Sequence, residues 1–221
     1  MTQTTGFVEV HRSSLRDQVA RAIRAAIFSG ELRPGDRINE SQIAERMKVS
    51  KAPVREALRL LESASLVSTI PNRGCFVAKL TSQDVRDVFG VRSAAEHLAG
   101  SLVIDSRDTA VLEEMQSAVD CMREAERRSD IEAVSRADVA FHESLIAHSG
   151  NQRLVRMWKE LEQLMAILRH QENVHAMRIS GADGHEAILR TIREGDKVRA
   201  QSQMEQHIME ACVALAGLMD R

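Results

Sequence analysis

The stretch SKAPVREALRLLES, from Ser50 to Ser63, combines a regular apolar stripe with a row of cations. Spacings of three and four between its apolar residues predict an amphipathic helix, whose inner side carries Val54, Ala57, Leu58 and Leu61. Three cations, Lys51, Arg55 and Arg59, follow one another at intervals of four and make an outward stripe entirely basic. Like charges at this spacing disfavour an isolated helix. The basic stripe therefore favours a polyanion over plain solvent as its partner.

The segments on either side of this helix predict a small DNA-binding domain. Upstream, residues 13–29 have the pattern of an amphipathic helix, and Asn39 is placed to cap a short second helix. Downstream, two short strands at 66–70 and 75–77 flank a turn at 71–74 and form a hairpin with a basic tip. Three helices followed by a hairpin are typical of a winged helix-turn-helix, in which the third helix reads DNA and the hairpin is the wing.

The candidate DNA contacts lie on the third helix and at the tip of the wing. Arginine pairs bidentately with guanine in the major groove, whereas lysine more often clamps a phosphate. Ser50 is also placed to cap the third helix. A plain solvated helix without a DNA partner is the alternative. The predicted DNA-binding residues are Ser50, Lys51, Arg55, Arg59, Arg73 and Gly74.

Composition limits the class of protein. The chain has 221 residues and a net charge of −2, but its first 80 residues hold 13 Lys and Arg against 8 Asp and Glu. Aromatic residues make up only 3%, with no Tyr, which argues against base-stacking platforms. Apolar runs are too short for a membrane span, and the three cysteines form neither a disulfide framework nor a metal knuckle. We therefore expect a reduced, cytoplasmic protein without membrane contact, whose basic first part meets a polyanion.

Beyond residue 80 the sequence has helical periodicity throughout. Thr81 or Ser82 is placed to cap a first helix, and further helices are predicted at about 108–128, 130–148, 151–176, 183–194 and 196–219. No strand pattern interrupts them, so the second part is predicted to be an all-α bundle. The expected fold is mainly α, with a winged helix-turn-helix domain over residues 7–79 and an all-helical domain over residues 80–219.

Four residues of the predicted bundle carry metal-binding chemistry. Asp138 and His142 are four apart on one helix and project from the same face. His185 stands at the start of a later helix, and His207 lies in the middle of the last one. One carboxylate and three imidazoles on three inward-facing helices are a suitable ligand set for a first-row divalent cation. Each residue taken alone is more typical of a hydrogen-bonded core histidine or of a surface pair.

The region around the third helix resembles the recognition-helix signature of the GntR family of bacterial transcription regulators. The likeness is carried by VSKAPVREAL at 49–58, by ESQIAE at 40–45 and by the Arg73-Gly74 pair of the wing. Lys51 stands where the family usually has arginine, so this position keeps its charge but lacks the planar fork for a bidentate contact. The resemblance covers the N-terminal third of the chain and implies a DNA-binding regulator.

The bundle resembles the FCD-type effector domain of the FadR-like branch of this family. Asp138, His142, His185 and His207 match the metal motif of that branch, which implies a divalent ion such as Zn, Ni, Mn or Fe. The resemblance also implies a small organic acid as effector, whose carboxylate reaches the ion. Arg92 matches an arginine that contacts the effector, although Glu96, four residues on, is an equally good partner for a buried cation.

These features together predict a homodimeric transcription regulator that binds a pseudo-palindromic operator and responds to a small organic acid. The competing class is a metal-dependent enzyme of small carboxylic acids, tethered to a DNA-binding domain. A catalyst usually needs a positioned base besides its metal ligands, and the helical spacing around Asp138 offers none, so no catalytic residue is predicted. An architectural DNA-binding protein is a third class, which would leave the metal cluster unexplained.

Overall fold

The computed structural model of the chain describes residues 14–171 and 181–220. It divides into two compact units, Met1–Ala78 and Lys79–Arg221. The expected domain boundary, between residues 79 and 80, lies one residue from this division. Residues 7–13 of the expected first domain and residues 172–176 of the expected helix at 151–176 lie outside the described residues.

The described part of the first unit contains three helices and a small antiparallel sheet. The order of the strands in the sheet is β1-β3-β2. This architecture confirms the predicted winged helix-turn-helix, in which β2 and β3 form the wing. The elements are α1 (Leu15–Phe28), β1 (Arg37–Ile38), α2 (Glu40–Arg46), α3 (Lys51–Ser63), β2 (Val67–Ile70) and β3 (Gly74–Val77).

The strand β1 was not predicted from the sequence. It contains only Arg37 and Ile38, which lie opposite Phe76 and Cys75 of β3. Ile38 is buried and Arg37 is exposed, as expected for neighbouring residues that point to opposite faces of a sheet. Two residues are too few to show a strand period, so only the pairing with β3 defines this element.

The N-cap residues of α2 and α3 differ in whether they make a capping hydrogen bond. The Asn39 side chain accepts hydrogen bonds from the backbone N–H groups of Ser41 and Gln42, which confirms it as the cap of α2. Ser50 occupies the N-cap position of α3, but its side chain makes no capping hydrogen bond. The expectation of a Ser50 cap is therefore wrong in its chemistry, and Ser50 lies exposed at the start of the helix.

The core of the first unit forms where α1 packs against α3. The wing is held to α3 by a hydrogen bond from the backbone N–H of Thr69 to Glu62 Oε1, at 2.8 Å. Burial of the predicted apolar stripe leaves the basic stripe of α3 on the surface. The buried residues at the helix contact are Val19, Ile23, Ile27, Val54, Ala57, Leu58 and Leu61.

The described part of the second unit is entirely helical, as predicted. Thr81 caps its first helix in a capping box, in which Asp84 accepts a hydrogen bond from the Thr81 backbone N–H at 2.7 Å. In the packing of the bundle, α4 lies against α9, and α5 lies against α6. The helices are α4 (Ser82–Ser106), α5 (Thr109–Arg128), α6 (Ile131–Ala147), α7 (Gln152–Gln171), α8 (Ala182–Glu194) and α9 (Lys197–Met219).

The buried side of α4 includes two charged residues, Arg92 and Glu96, among its apolar ones. Charges at such positions require partners, because burial without compensation is costly. Among the described residues, no helix is long and apolar enough to cross a membrane.

Candidate metal centre and nucleic-acid interface

The four predicted metal ligands converge inside the helical unit. Asp138 and His142 extend from α6, His185 from the first turn of α8 and His207 from the middle of α9. Each offers one ligand atom, and these atoms all lie within 4.8 Å of one another. His142, His185 and His207 are buried, and Asp138 is partly buried. Residues separated by up to 69 positions in the sequence therefore form one site.

Hydrogen bonds outside the cluster fix the direction of two imidazole rings. His185 Nδ1 lies 3.0 Å from the backbone oxygen of Gly181, and His142 Nδ1 lies 2.5 Å from Glu96 Oε2. A carbonyl or carboxylate oxygen can only accept, so both Nδ1 atoms carry the proton. In the neutral form of either ring this leaves the lone pair on Nε2, the atom that faces the cluster.

The ligand atoms inside the cluster face one another at short range. His185 Nε2 lies 3.1 Å from Asp138 Oδ1, and His142 Nε2 lies 3.3 Å from His207 Nε2. Each such contact can hold a proton, as when a histidine donates to Asp138, or the two groups can bind one cation together. Separations of this size also fit neighbouring ligands of one ion, since metal–nitrogen distances of about 2.0–2.1 Å place adjacent ligands about 3.0–3.4 Å apart. The donor set therefore fits a divalent metal ion.

The pKa values in the cluster show how strongly its groups interact. Burial alone would raise the pKa of Asp138, but hydrogen bonds from His142 and His185 hold it well below its usual range. Burial and the neighbouring His142 and His185 lower the pKa of His207 well below that of a free imidazole. The cluster thus keeps an ionised carboxylate beside a neutral imidazole, which are the protonation states of metal ligands.

Arg92 lies beside this cluster and is paired with Glu96. Its side chain is only 5% exposed, and its Nε donates to Glu96 Oε1 at 2.7 Å. Burial would lower the pKa of Arg92, but the charges of Glu96 and Asp138 outweigh it and raise the pKa. The predicted Arg92–Glu96 pair is therefore present, and Arg92 also lies close enough to Asp138 to feel its charge.

In the first unit, the predicted DNA-reading residues of α3 lie on its exposed side. Ser50, Lys51 and Arg59 are exposed. Arg55 is 63% exposed, yet its Nε donates to Glu40 Oε2 at 2.8 Å, an ion pair between the helices of the turn motif. The Glu40 contact was not predicted, because the two residues are fifteen positions apart in the sequence.

The wing brings together two predicted residues and one that was missed. Arg73 is exposed in the turn, and Gly74 follows it with a φ of +110°, a backbone conformation that strongly favours glycine. A Cβ atom at Gly74 would lie 3.2 Å from Arg37 Nε. The exposed guanidinium of Arg37 on β1 therefore covers the wing glycine and extends the basic surface of the wing.

Only one of the two contacts of Glu96 could be predicted from the sequence. The spacing of four identified its pairing with Arg92, but not its contact with His142, which is 46 positions away. The signal in the sequence for a further partner was a second charged residue among the apolar positions of α4. For Arg37, the signal was a lone cation before the Asn39 cap, at a place where no strand was expected.

A winged helix-turn-helix followed by a helical domain with a buried ligand cluster defines a DNA-binding transcriptional regulator with an effector-binding domain. The chain belongs to the GntR family of bacterial regulatory proteins, whose profile matches residues 15–77, and residues 87–210 match the FCD domain. Both assignments agree with the resemblance seen in the sequence.

Several known proteins share this organisation. The chain is 30% identical to the uncharacterized HTH-type transcriptional regulator YdhC of Bacillus subtilis, over 92% of each chain. It is 28% identical to a protein of Paenarthrobacter nicotinovorans named "Probable D-xylose utilization operon transcriptional repressor", over 89% of this chain and 87% of that protein. A crystal structure of a GntR transcriptional regulator from Rhodococcus sp. RHA1 superposes with a TM-score of 0.78 at 25% identity, covering 93% of this chain and 99% of that one.

Proposed function

We propose that this protein is a cytoplasmic, homodimeric regulator whose operator affinity changes when a small organic acid binds at a divalent metal in the helical domain. The observation that carries the proposal is the convergence of Asp138, His142, His185 and His207 on one point, with the Nδ1 atoms of two imidazoles hydrogen-bonded to oxygens outside the cluster. A bound ion would supply an electrophilic position for an anionic group.

The chemistry around the cluster favours an acid as the effector. Four protein ligands leave two positions of an octahedral ion open, and a carboxylate suits them. Arg92 adds a buried cation beside the cluster, and within the described hydrogen bonds only its Nε is engaged. The outer nitrogens of the guanidinium are thus the groups that would meet the second oxygen of the acid.

The DNA-binding surface proposed here consists of the exposed side of α3 and the wing. Arg55 and Arg59 would meet guanine edges, while Ser50, Lys51, Arg73 and Gly74 would meet the backbone of the duplex. A homodimer presents two such surfaces, and its two-fold symmetry corresponds to a pseudo-palindromic operator.

Communication between the two functions would proceed through α4. This helix carries Arg92 and begins at Ser82, and four residues separate it in the sequence from Val77 at the end of β3. A shift of α4 on acid binding would change the spacing of the two reading helices against the operator half-sites. Coupling of about 1–3 kcal/mol is the usual scale, and operator DNA must change acid affinity by the same factor.

The proposal is tested by a thermal-shift screen of small organic acids against the metal-loaded protein. An acid present at 100 times its dissociation constant stabilises the native state by about 2.7 kcal/mol. D-Xylose serves as the neutral control, since one relative carries the name of that sugar. We expect an acid to raise the melting temperature, with the response lost in His185→Ala and His207→Ala.

Three results would contradict this function. A response to the neutral sugar but to no acid would refute the effector class. Steady turnover of a carboxylic acid by the metal-loaded protein would instead favour a metal-dependent enzyme tethered to a DNA-binding domain. A variant that loses its metal but still responds normally to the acid would show that the ion is only structural.

A further inference from the structure

Glu96 is a buried carboxylate that lies outside the metal ligand set. It is fully buried, and each of its oxygens has its own partner. Oε1 accepts from Arg92 Nε at 2.7 Å, and Oε2 contacts His142 Nδ1 at 2.5 Å. The orientation of this carboxylate is therefore fixed from both sides.

The contact through Oε2 determines which nitrogen of His142 faces the ligand cluster. When the ring is neutral, a proton held on Nδ1 by Glu96 leaves the lone pair on Nε2. That atom lies 3.3 Å from His207 Nε2 and 3.7 Å from Asp138 Oδ1. The opposite tautomer would direct an N–H group into the cluster, where it would exclude a metal ion.

The two oriented histidines differ in what orients them. His185 depends on a backbone oxygen, that of Gly181, which no substitution removes. His142 depends on the side chain of Glu96, so a single change of side chain tests its orientation.

We infer that Glu96 is a positioning residue of the metal centre, which fixes the metal-binding tautomer of His142 and holds Arg92 beside the ligand cluster. The inference rests on the proposed metal site and adds to it a residue that is not itself a ligand. Carboxylate partners of ligating histidines increase the basicity of the ring, and their loss typically weakens metal binding by about 10–100-fold.

The experiment compares Ni²⁺ binding by the full-length wild type, Glu96→Gln and Glu143→Gln, measured by chelator competition. Glu143 is the matched control, because it is adjacent to His142 in the sequence but exposed. We expect Glu96→Gln to bind about 10–100-fold more weakly than the wild type, and Glu143→Gln to bind as the wild type does. Equal affinities for both variants would overturn the inference alone. Failure of the wild type to bind would overturn the proposed metal site and the inference together.

A second variant addresses the buried charge that Glu96→Gln leaves on Arg92. The double variant Arg92→Met/Glu96→Gln removes both charges, so neither charge is left buried without its partner. ¹⁵N chemical shifts of the imidazole nitrogens then report the tautomer of His142 in the metal-free protein at alkaline pH. We expect the Nδ1–H form in the wild type and a mixture of tautomers in the double variant. An unchanged tautomer together with an unchanged Ni²⁺ affinity would show that Glu96 pairs with Arg92 but does not position His142.

Discussion

The two units place the charged residues of their predicted sites in opposite environments. In the first unit, Lys51, Arg59 and Arg73 lie in solvent, whereas in the second unit Arg92 and Glu96 are buried beside the histidine cluster. Water compensates an exposed cation, so the fold does not require a partner for such a residue. A buried charge persists only with partners at short range. Substitutions in the first unit should therefore change binding alone, and those in the second should also change stability.

The largest expected effect tests the buried side of this comparison. Arg92→Met leaves Glu96 buried without its cation, and breaking a buried pair in this way costs about 3–5 kcal/mol. We expect urea unfolding of the metal-free protein to show a loss of this size. Arg156→Met on the exposed side of α7 is the matched control and should change stability by less than about 0.5 kcal/mol. Equal stabilities for the two variants would mean that the buried pairing of Arg92 with Glu96 does not contribute measurably to stability.

A smaller effect is expected on the exposed side, and only in DNA binding. Arg59→Ala and Arg55→Ala should each weaken operator binding by about 1–3 kcal/mol wherever the arginine contacts a guanine edge. Their unfolding free energies should remain within about 0.5 kcal/mol of the wild type. Fluorescence anisotropy with operator DNA, beside urea unfolding of the same samples, measures both quantities. Retained operator affinity in both variants would contradict the proposal that α3 contacts the bases of the operator.

The wing should contribute less than α3 to operator affinity, and its contribution should not depend on the base sequence of the DNA. Arg73→Ala and Arg37→Ala each remove one cation from the wing surface, so the slope of log affinity against log salt should fall by about 1 for each phosphate that the variant no longer neutralises. Arg46→Ala is the control in the same unit, since Arg46 is already paired with Glu31 at 3.5 Å. A salt slope that changes as little for Arg37→Ala as for Arg46→Ala would exclude Arg37 from the DNA surface.

The smallest expected effect concerns a charge of intermediate exposure in the second unit. His148 lies between Asp108 Oδ2 at 3.1 Å and Glu114 Oε2 at 3.2 Å. Burial alone would lower the pKa of His148, but the hydrogen bonds to these carboxylates outweigh it and raise the pKa. The raised pKa means that the folded state favours the protonated form. Its stabilisation is complete below the ordinary value of about 6.5 and is lost as the pH rises through the raised pKa.

Unfolding free energies of the wild type and of His148→Gln, measured from pH 6 to pH 8.5, test this linkage. We expect the difference between the two proteins to shrink as the pH rises. The variant His97→Gln provides the comparison for a change of histidine to glutamine elsewhere in the same unit. If the difference in unfolding free energy between the wild type and His148→Gln is constant across this pH range, Asp108 and Glu114 do not stabilise the protonated ring.

How well the sequence predicted each unit follows from the range of the contacts involved. The apolar and basic stripes of α3 are set by residues three and four positions apart, so the local pattern was sufficient to assign the helix and its exposed side. The strand β1 exists only through pairing with β3, more than thirty positions away, and was missed. The Arg55–Glu40 ion pair was missed for the same reason.

The cluster of candidate metal ligands shows a second limit on what the sequence can predict. Residue type and the resemblance to a known motif identified Asp138, His142, His185 and His207, and the structure brings their ligand atoms together. The partner of His142 depends on how α4 packs in the bundle, which no local pattern records. Glu96 was therefore identified only as the neighbour of Arg92 on its own helix.

The ion pair between Arg55 and Glu40 has a consequence for how fast an operator is found. If α3 reads DNA as proposed, then on a stretch of chromosome without the right base Glu40 would keep Arg55 occupied and repel the nearby phosphates. Non-specific binding would be weakened more than specific binding, where a guanine offers Arg55 a partner of its own. The time spent on each wrong site would become shorter, and the proposed dimer would sample more of the genome per second. In this way an acidic residue on a basic surface would shorten the search at a smaller cost to operator binding.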